Sequence, residues 1–201
     1  DYRRYSSYRS TQSGASIRAV WPMAEYASLS VFYRYLKEEI SSYFFQSGYN
    51  LADDYNADKS EIGYSYVIDT RDDPIDTTRG WTFSFGQDIA GLLGESEYIR
   101  SNLGGRYYYE IARDWVLSAG ANAGYIYNYG SKDLRINDRF FKGGNTFRGF
   151  DRAGVGPKEK VTDRPRGAEF FAIGTLEVTV PLGLPDEFGL RTALFTDFGI
   201  I

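Results

Sequence analysis

Among its 201 residues the chain has no cysteine and no histidine, one methionine and six prolines. Without cysteine there is no disulfide framework, no thiolate metal site and no thiol nucleophile. Without histidine a Ser-His-Asp triad is excluded, and zinc or haem would lose the usual donor. A hydrolase would then need a lysine or carboxylate base, and no such pairing stands out. No run of roughly 18 apolar residues occurs, so the sequence encodes no membrane-spanning helix. The first ten residues, DYRRYSSYRS, lack the apolar centre of a signal peptide. The chain is therefore expected to begin inside a longer polypeptide, and its last residues, Phe195 to Ile201, end on a strand-like alternation. A formal net charge of −4 offers nucleic acid no general attraction.

What the chain has in excess is aromatic side chains, with 18 tyrosines, 14 phenylalanines and three tryptophans. Their distribution follows a period of two almost throughout, the signature of strands rather than helices. From Asp114 to Tyr129 the odd positions read Trp115, Leu117, Ala119, Ala121, Ala123, Tyr125, Tyr127 and Tyr129. The even positions between them are small or polar, apart from Val116 and Ile126. The same pattern marks Ser13–Trp21, Tyr26–Leu36, Lys59–Asp69, Arg79–Ile89, Tyr98–Ile111, Gly167–Val180 and Glu187–Ile201. Eight strands of one domain, residues 1–201, are predicted.

The links between these segments alternate in length. Short ones fall at Pro22–Glu25, Thr70–Thr78, Ala112–Arg113 and Pro181–Asp186, and longer ones at Lys37–Asp58, Ala90–Glu97 and Tyr129–Arg166. An antiparallel up-and-down meander with tight turns at one rim and long loops at the other gives this order, as in transmembrane β-barrels. A soluble sandwich is the alternative, but several segments reach 11 residues or more, against about 5–6 for globular strands. One face of each segment is apolar with tyrosine or tryptophan near its ends, and the other carries Arg, Glu, Asp, Asn and Gly. The reading is therefore all-β, part of a transmembrane β-barrel with a polar lumen.

Few residues suggest chemistry. Asp54, Asn56 and Asp58, followed by Glu61, lack the glycine and the spacing of a calcium loop and read as a solvated acidic loop. Asp53-Asp54 and Asp72-Asp73 sit beside turn residues, and the mixed charges of Lys158–Arg166 suit a wet, mobile tip. The glycine-rich run Gly143–Gly149 has no Gly-Lys-Ser/Thr ending and no helix after it, so it is no phosphate cradle. No metal or cofactor is called for. The exception is Arg148, within the stretch FFKGGNTFRGFDRAGVGP of Phe140–Pro157. A cation set among glycines and phenylalanines needs a partner. Strand parity puts Glu177 and Asp197 on the polar faces of the last two segments, within reach of a loop, 130–166, that folds inward. A turn centred near Leu184 would also set Glu177 across from Arg191.

These residues resemble the Omp85 superfamily. Phe140–Phe150, with Gly143, Gly144, Phe147, Arg148, Gly149 and Phe150, is similar to its sixth-loop motif, a glycine pair followed by [VIF]-R-G-[FY]. Asp197 in Phe195–Gly199 matches the family's F-x-D-x-G strand, and Glu177 the acid of the preceding strand. Asp69, Arg71, Asp73, Pro74 and Gly80 resemble a turn motif of the bacterial members, closest to the outer-membrane protein assembly factors. The resemblance implies strands six to thirteen of a 16-stranded barrel in the outer membrane of a Gram-negative bacterium. POTRA domains and the remaining strands would lie outside this chain. It implies a non-enzymatic machine that folds and inserts client β-barrels, with the loop latched by Arg148 to Asp197 and Glu177. Unfolded outer-membrane β-barrel clients, accessory lipoproteins and outer-membrane lipid would be its partners, and no nucleic acid. A polypeptide secretion pore of the two-partner-secretion or TamA-like kind, or a porin or surface antigen, are the alternatives.

Overall fold

The computed structural model describes residues 8–42, 55–158, 160, 165–182 and 191–201. Among the described residues eight strands form one antiparallel sheet: β1 (Tyr8–Ala24), β2 (Ala27–Ser42), β3 (Tyr55–Asp69), β4 (Gly80–Gly94), β5 (Tyr98–Ala112), β6 (Trp115–Asn128), β7 (Phe170–Pro181) and β8 (Arg191–Ile200). Each pairs with its sequence neighbour in the order β1 to β8, so β1 and β8 are the two edges. The predicted meander is the observed one, with most strands longer than their alternating segments. Asp53, Asp54, most of the charged tip between Lys158 and Arg166, and residues 187–190 lie outside the described residues. Asn56 and Asp58 belong to β3 rather than to an acidic loop.

The two faces differ as the parity required. Ile17, Trp21, Tyr107, Tyr109, Tyr125, Tyr127, Leu176, Leu194 and Phe198 stand exposed on one side. Glu38, Lys59 and Glu61 are buried on the other, which the loop between β6 and β7 covers. A continuous exposed apolar face of this extent needs an apolar surrounding, and the 10–17-residue strands suffice to cross one.

Two expectations about the connections are corrected. The link over Ala90–Glu97 is not long, because β4 runs on to Gly94 and leaves only residues 95–97 before β5. Gly91 and Gly94 take positive φ there, and β4 bulges against β3 between Lys59 and Glu61. The Ser60 hydroxyl closes the irregularity by bonding both the N–H and the carbonyl of Leu93, at 2.6 and 2.7 Å. The extra residues break the period of two, which is why the strand's end was hidden in the sequence. The ten-residue β3–β4 link, residues 70–79, is consequently longer than the β4–β5 one, and the alternation is not strict. In the last hairpin Glu177 faces Phe195, four residues beyond the expected Arg191, which faces Pro181. Leu184 itself lies outside the described residues.

The β3–β4 turn is built from its own side chains. Arg71 donates to Asp69 through Nε at 2.9 Å and Nη2 at 2.7 Å, and to the Pro74 carbonyl at 3.1 Å. Asp73 accepts the N–H groups of Ile75 and Asp76. Gly80 has φ 104°, and a Cβ there would lie 2.4 Å from the Thr70 carbonyl, so no other residue fits. Asp72, beside the turn, accepts from the Thr78 hydroxyl at 2.6 Å and from the Thr78 and Arg79 N–H groups. Those bonds hold its carboxyl below the ordinary carboxylate range, as the N–H groups of Asp76 and Ile75 do for Asp73. A carboxyl depressed in the folded state stabilises above its unfolded value of 3.8 and loses that contribution as pH falls through the lower folded value. Amide exchange at Thr78 and Arg79, taken relative to the intrinsic rate at each pH, is therefore expected to stay constant from pH 7 to about pH 5 and to quicken below about pH 4. Asp72→Asn should quicken it at every pH; unchanged exchange in that variant would show that the carboxylate does not hold the turn.

Candidate functional site

Between β6 and β7 lie residues 129–169, and the described ones among them make a folded element. Phe140 and Ala168 exchange backbone hydrogen bonds at 2.8 Å, and Lys142 bridges to Val155. These two bridges fold the stretch back on itself. Gly143 sits at the inner bend with φ 133°, where a Cβ would lie 2.1 Å from the Asp151 carbonyl. Thr146 then bonds Gly143 from both sides, its Oγ1 accepting from the Gly143 N–H at 3.0 Å and donating to the carbonyl at 2.9 Å. The Gly144 N–H reaches the Phe150 carbonyl at 2.9 Å. Compactness of this kind makes the loop an Ω-like element with its own interior.

Aromatic side chains dock it on the wall. Phe147 is buried against Phe171 and Ile173, inward-facing residues of β7, with Phe140, Val155 and Ile201 around them. Phe140 meets Phe171 edge-on at 4.8 Å between centroids, and Phe150 stacks on Phe147 at 5.0 Å. Gly124 of β6 leaves the space that Phe171 and Phe140 occupy, since a Cβ there would lie 2.3 Å from Phe171. The small residues on the inner face of β6 thus make room for the loop's rings.

The docked loop delivers Arg148 to the β7–β8 pair. Its backbone N–H and its Nε each donate to Asp197 Oδ2 at 2.9 Å, and Nη2 donates to Oδ1 at 2.9 Å. Nη1 donates to Glu177 Oε2 at 2.5 Å. Thr175, opposite Asp197 across the two strands, donates to Oδ1 at 2.9 Å. The guanidinium carbon lies 3.5 Å from the centre of the Phe195 ring. Hydrogen bonds to Asp197, and then to Glu177, hold the Arg148 guanidinium above its ordinary value. The Asp197 side chain is 5% exposed and that of Arg148 29%, so the acid is the member that burial would penalise if left unpaired.

All the loop and wall residues singled out in the sequence, Gly143 to Phe150 with Glu177 and Asp197, meet in this one place. The turn residues Asp69, Arg71, Asp73, Pro74 and Gly80 do not: the β3–β4 turn occupies the opposite rim of the meander from the β6–β7 loop. Two members were missed. Phe195 shares the parity of Asp197, which was enough to put it on the inner wall as the platform for Arg148. Lys142 lies 3.6 Å from the centre of the Phe171 ring, where burial lowers its ammonium from the ordinary lysine value. Between loop and wall runs a polar cleft of about 570 Å³, lined by Arg106, Asn122, Lys142, Arg148, Thr175 and Asp197 among others. Among the described residues no group of three or more His, Cys, Asp or Glu side chains is arranged to hold a metal ion.

The family model of the Omp85 superfamily domain matches residues 1–201. The outer membrane protein assembly factor BamA of Neorickettsia risticii is 34% identical over 143 residues, 71% of this chain and 19% of that protein. The sorting and assembly machinery component 50 homolog of Mus musculus is 31% identical over 143 residues, 70% of this chain and 30% of that protein. The chain thus spans less than a third of the length of either relative. In three dimensions it is similar to the crystal structure of BamA from Haemophilus ducreyi lacking POTRA domains 1–3. That match has a TM-score of 0.82 at 16% identity and covers 96% of this chain and 42% of the other. The fold is that of a BamA-like barrel, and the chain belongs to the Omp85 superfamily.

Proposed function

We propose that this chain supplies part of the barrel of an outer-membrane protein assembly machine, and that Arg148 latches the β6–β7 loop to the inner wall. The observation that carries the reading is a single planar cation bound to acids on two adjacent strands, Glu177 of β7 and Asp197 of β8. A guanidinium with three hydrogen bonds and an aromatic platform fixes orientation as well as position. The loop then ties β7 to β8 from inside, where the lipid-facing side offers only apolar contacts. The similarity to two assembly factors supports the role of folding and inserting client β-barrels into an outer membrane. Such work proceeds by strand pairing at a barrel edge and by local thinning of the bilayer, without covalent chemistry. Unfolded β-barrel clients, accessory lipoproteins and outer-membrane lipid are the partners this role requires. The bacterial relative and the turn motif favour a Gram-negative outer membrane.

The latch is tested in the whole gene product by the temperature at which the barrel loses its fast-migrating folded form on gels. Arg148→Ala keeps the backbone N–H bond to Asp197 but strips a nearly buried carboxylate of its cation, a loss of about 2 kcal/mol after allowance for the partly open arginine. That corresponds to a fall of roughly 5 °C. Arg148→Lys is expected to be nearly as damaging, since one ammonium cannot span both acids or stack flat on Phe195. Client β-barrels should accumulate unfolded in both variants. A lysine variant with wild-type heat resistance and normal client assembly would remove the latch; export of a soluble polypeptide failing instead of client assembly would favour a secretion pore.

The bend at Gly143 gives a separate expectation. Gly143→Ala meets the Asp151 carbonyl and must open the loop, lowering the same transition about as far as Arg148→Ala. At Gly149, φ 90°, an added Cβ finds nothing within 4 Å. Gly149→Ala should therefore bear only the strain of its backbone conformation, about 1 kcal/mol. Equal effects of the two substitutions would show that the bend does not set the loop's position.

A further inference from the structure

Away from Arg148, the same loop carries a second buried charge. Asp138 closes the short 3-10 turn Ile136–Asp138 and is 1% exposed. Its Oδ1 accepts from Lys59 Nζ of β3 at 2.7 Å, and Oδ2 lies 3.5 Å from the Ser96 hydroxyl. The Tyr98 hydroxyl of β5 stands 3.1 Å from Asp138 Oδ1 and 2.5 Å from Glu61 Oε1. That hydroxyl has one proton, and the shorter contact assigns it to Glu61. Lys59 is therefore the group that neutralises Asp138.

Lys59 also has Glu38 Oε1 at 3.4 Å and Glu61 Oε1 at 3.5 Å, all with side chains exposed by 6% or less. Arg34 binds Glu61, and Arg100 binds Asp88 at 2.8 Å and lies 3.9 Å from Glu61. Gln12 of β1 donates to Glu38 at 2.7 Å. Four acids thus face three cations in a network running through β1 to β5, and the loop contributes Asp138 to it. Loops seldom bury a charge on a wall unless the contact fixes them there.

We infer that Asp138 is a second pin, independent of Arg148, that fastens the ingoing leg of the loop to β3 and β5. The two pins lie ten residues apart, at 138 and 148, yet engage strands on opposite sides of β6. Between them Phe140 and Phe147 rest on β7. The loop is thereby a strut across the inner wall, held at 138 and at 148 by separate ion pairs. This inference stands on the buried network and does not depend on the assembly role.

Removing Asp138 leaves Lys59 with two acids, so Asp138→Asn should fold. Lys59→Met leaves three acids around one uncharged side chain and should yield far less folded protein. Hydrogen exchange of the folded whole gene product reads the pin directly. Asp138→Asn is expected to speed exchange over residues 134–142 by about tenfold while residues 146–150 change much less. Arg148→Ala should give the reverse pattern, and Asp138→Glu should recover much of the lost protection. Exchange over 134–142 within twofold of the parent would overturn the inference, as would equal loosening of both segments by either variant. Failure of Asp138→Asn to fold would overturn it too, since Asp138 would then belong to the sheet's core rather than pin a loop.

Discussion

The arrangement depends on one buried carboxylate that cannot stand alone. Asp197 sits on the inner face of β8, 5% exposed, on a wall whose other side is apolar. Only a cation brought from elsewhere in the chain can neutralise it, and Thr175 and Glu177 beside it supply none. Arg148 fills that need with a fork of donors matched to the carboxylate and a further bond to Glu177. The loop's glycines, its bend and its phenylalanines are the means by which one guanidinium reaches this point in one orientation. If the pair were absent, the loop would keep its aromatic contacts but lose the link that joins it to β8.

The eight strands were legible because lipid on one side and a polar interior on the other impose a period of two for long runs. Where that period breaks, legibility ends. The bulge opposite Ser60 hid the last residues of β4, and the β7–β8 register slipped by four residues because turn length is not written in the alternation of the flanking strands. Arg148, Glu177 and Asp197 were legible from parity and from resemblance to the Omp85 superfamily. Phe195 was within reach of the same parity, two residues before Asp197. Asp138 gave no local sign at all. Its partner Lys59 lies 79 residues away in the sequence, and only folding brings a loop acid to a lysine already flanked by two others.

The loop between β6 and β7 is best understood as part of the wall it covers. It closes on itself through the Phe140–Ala168 and Lys142–Val155 bridges, fills the space left by Gly124, and meets charge on both sides of β6. It spans the inner wall from Lys59 of β3 to Asp197 of β8.

The most direct measurement of the latch is a double-mutant cycle between Arg148→Ala and Asp197→Ala, read by the heat-modification midpoint of the barrel in the whole gene product. If the two side chains act as one contact, the double variant is no less stable than the worse single variant, and their coupling is about 2 kcal/mol. Additive losses, with coupling near zero, would contradict the account.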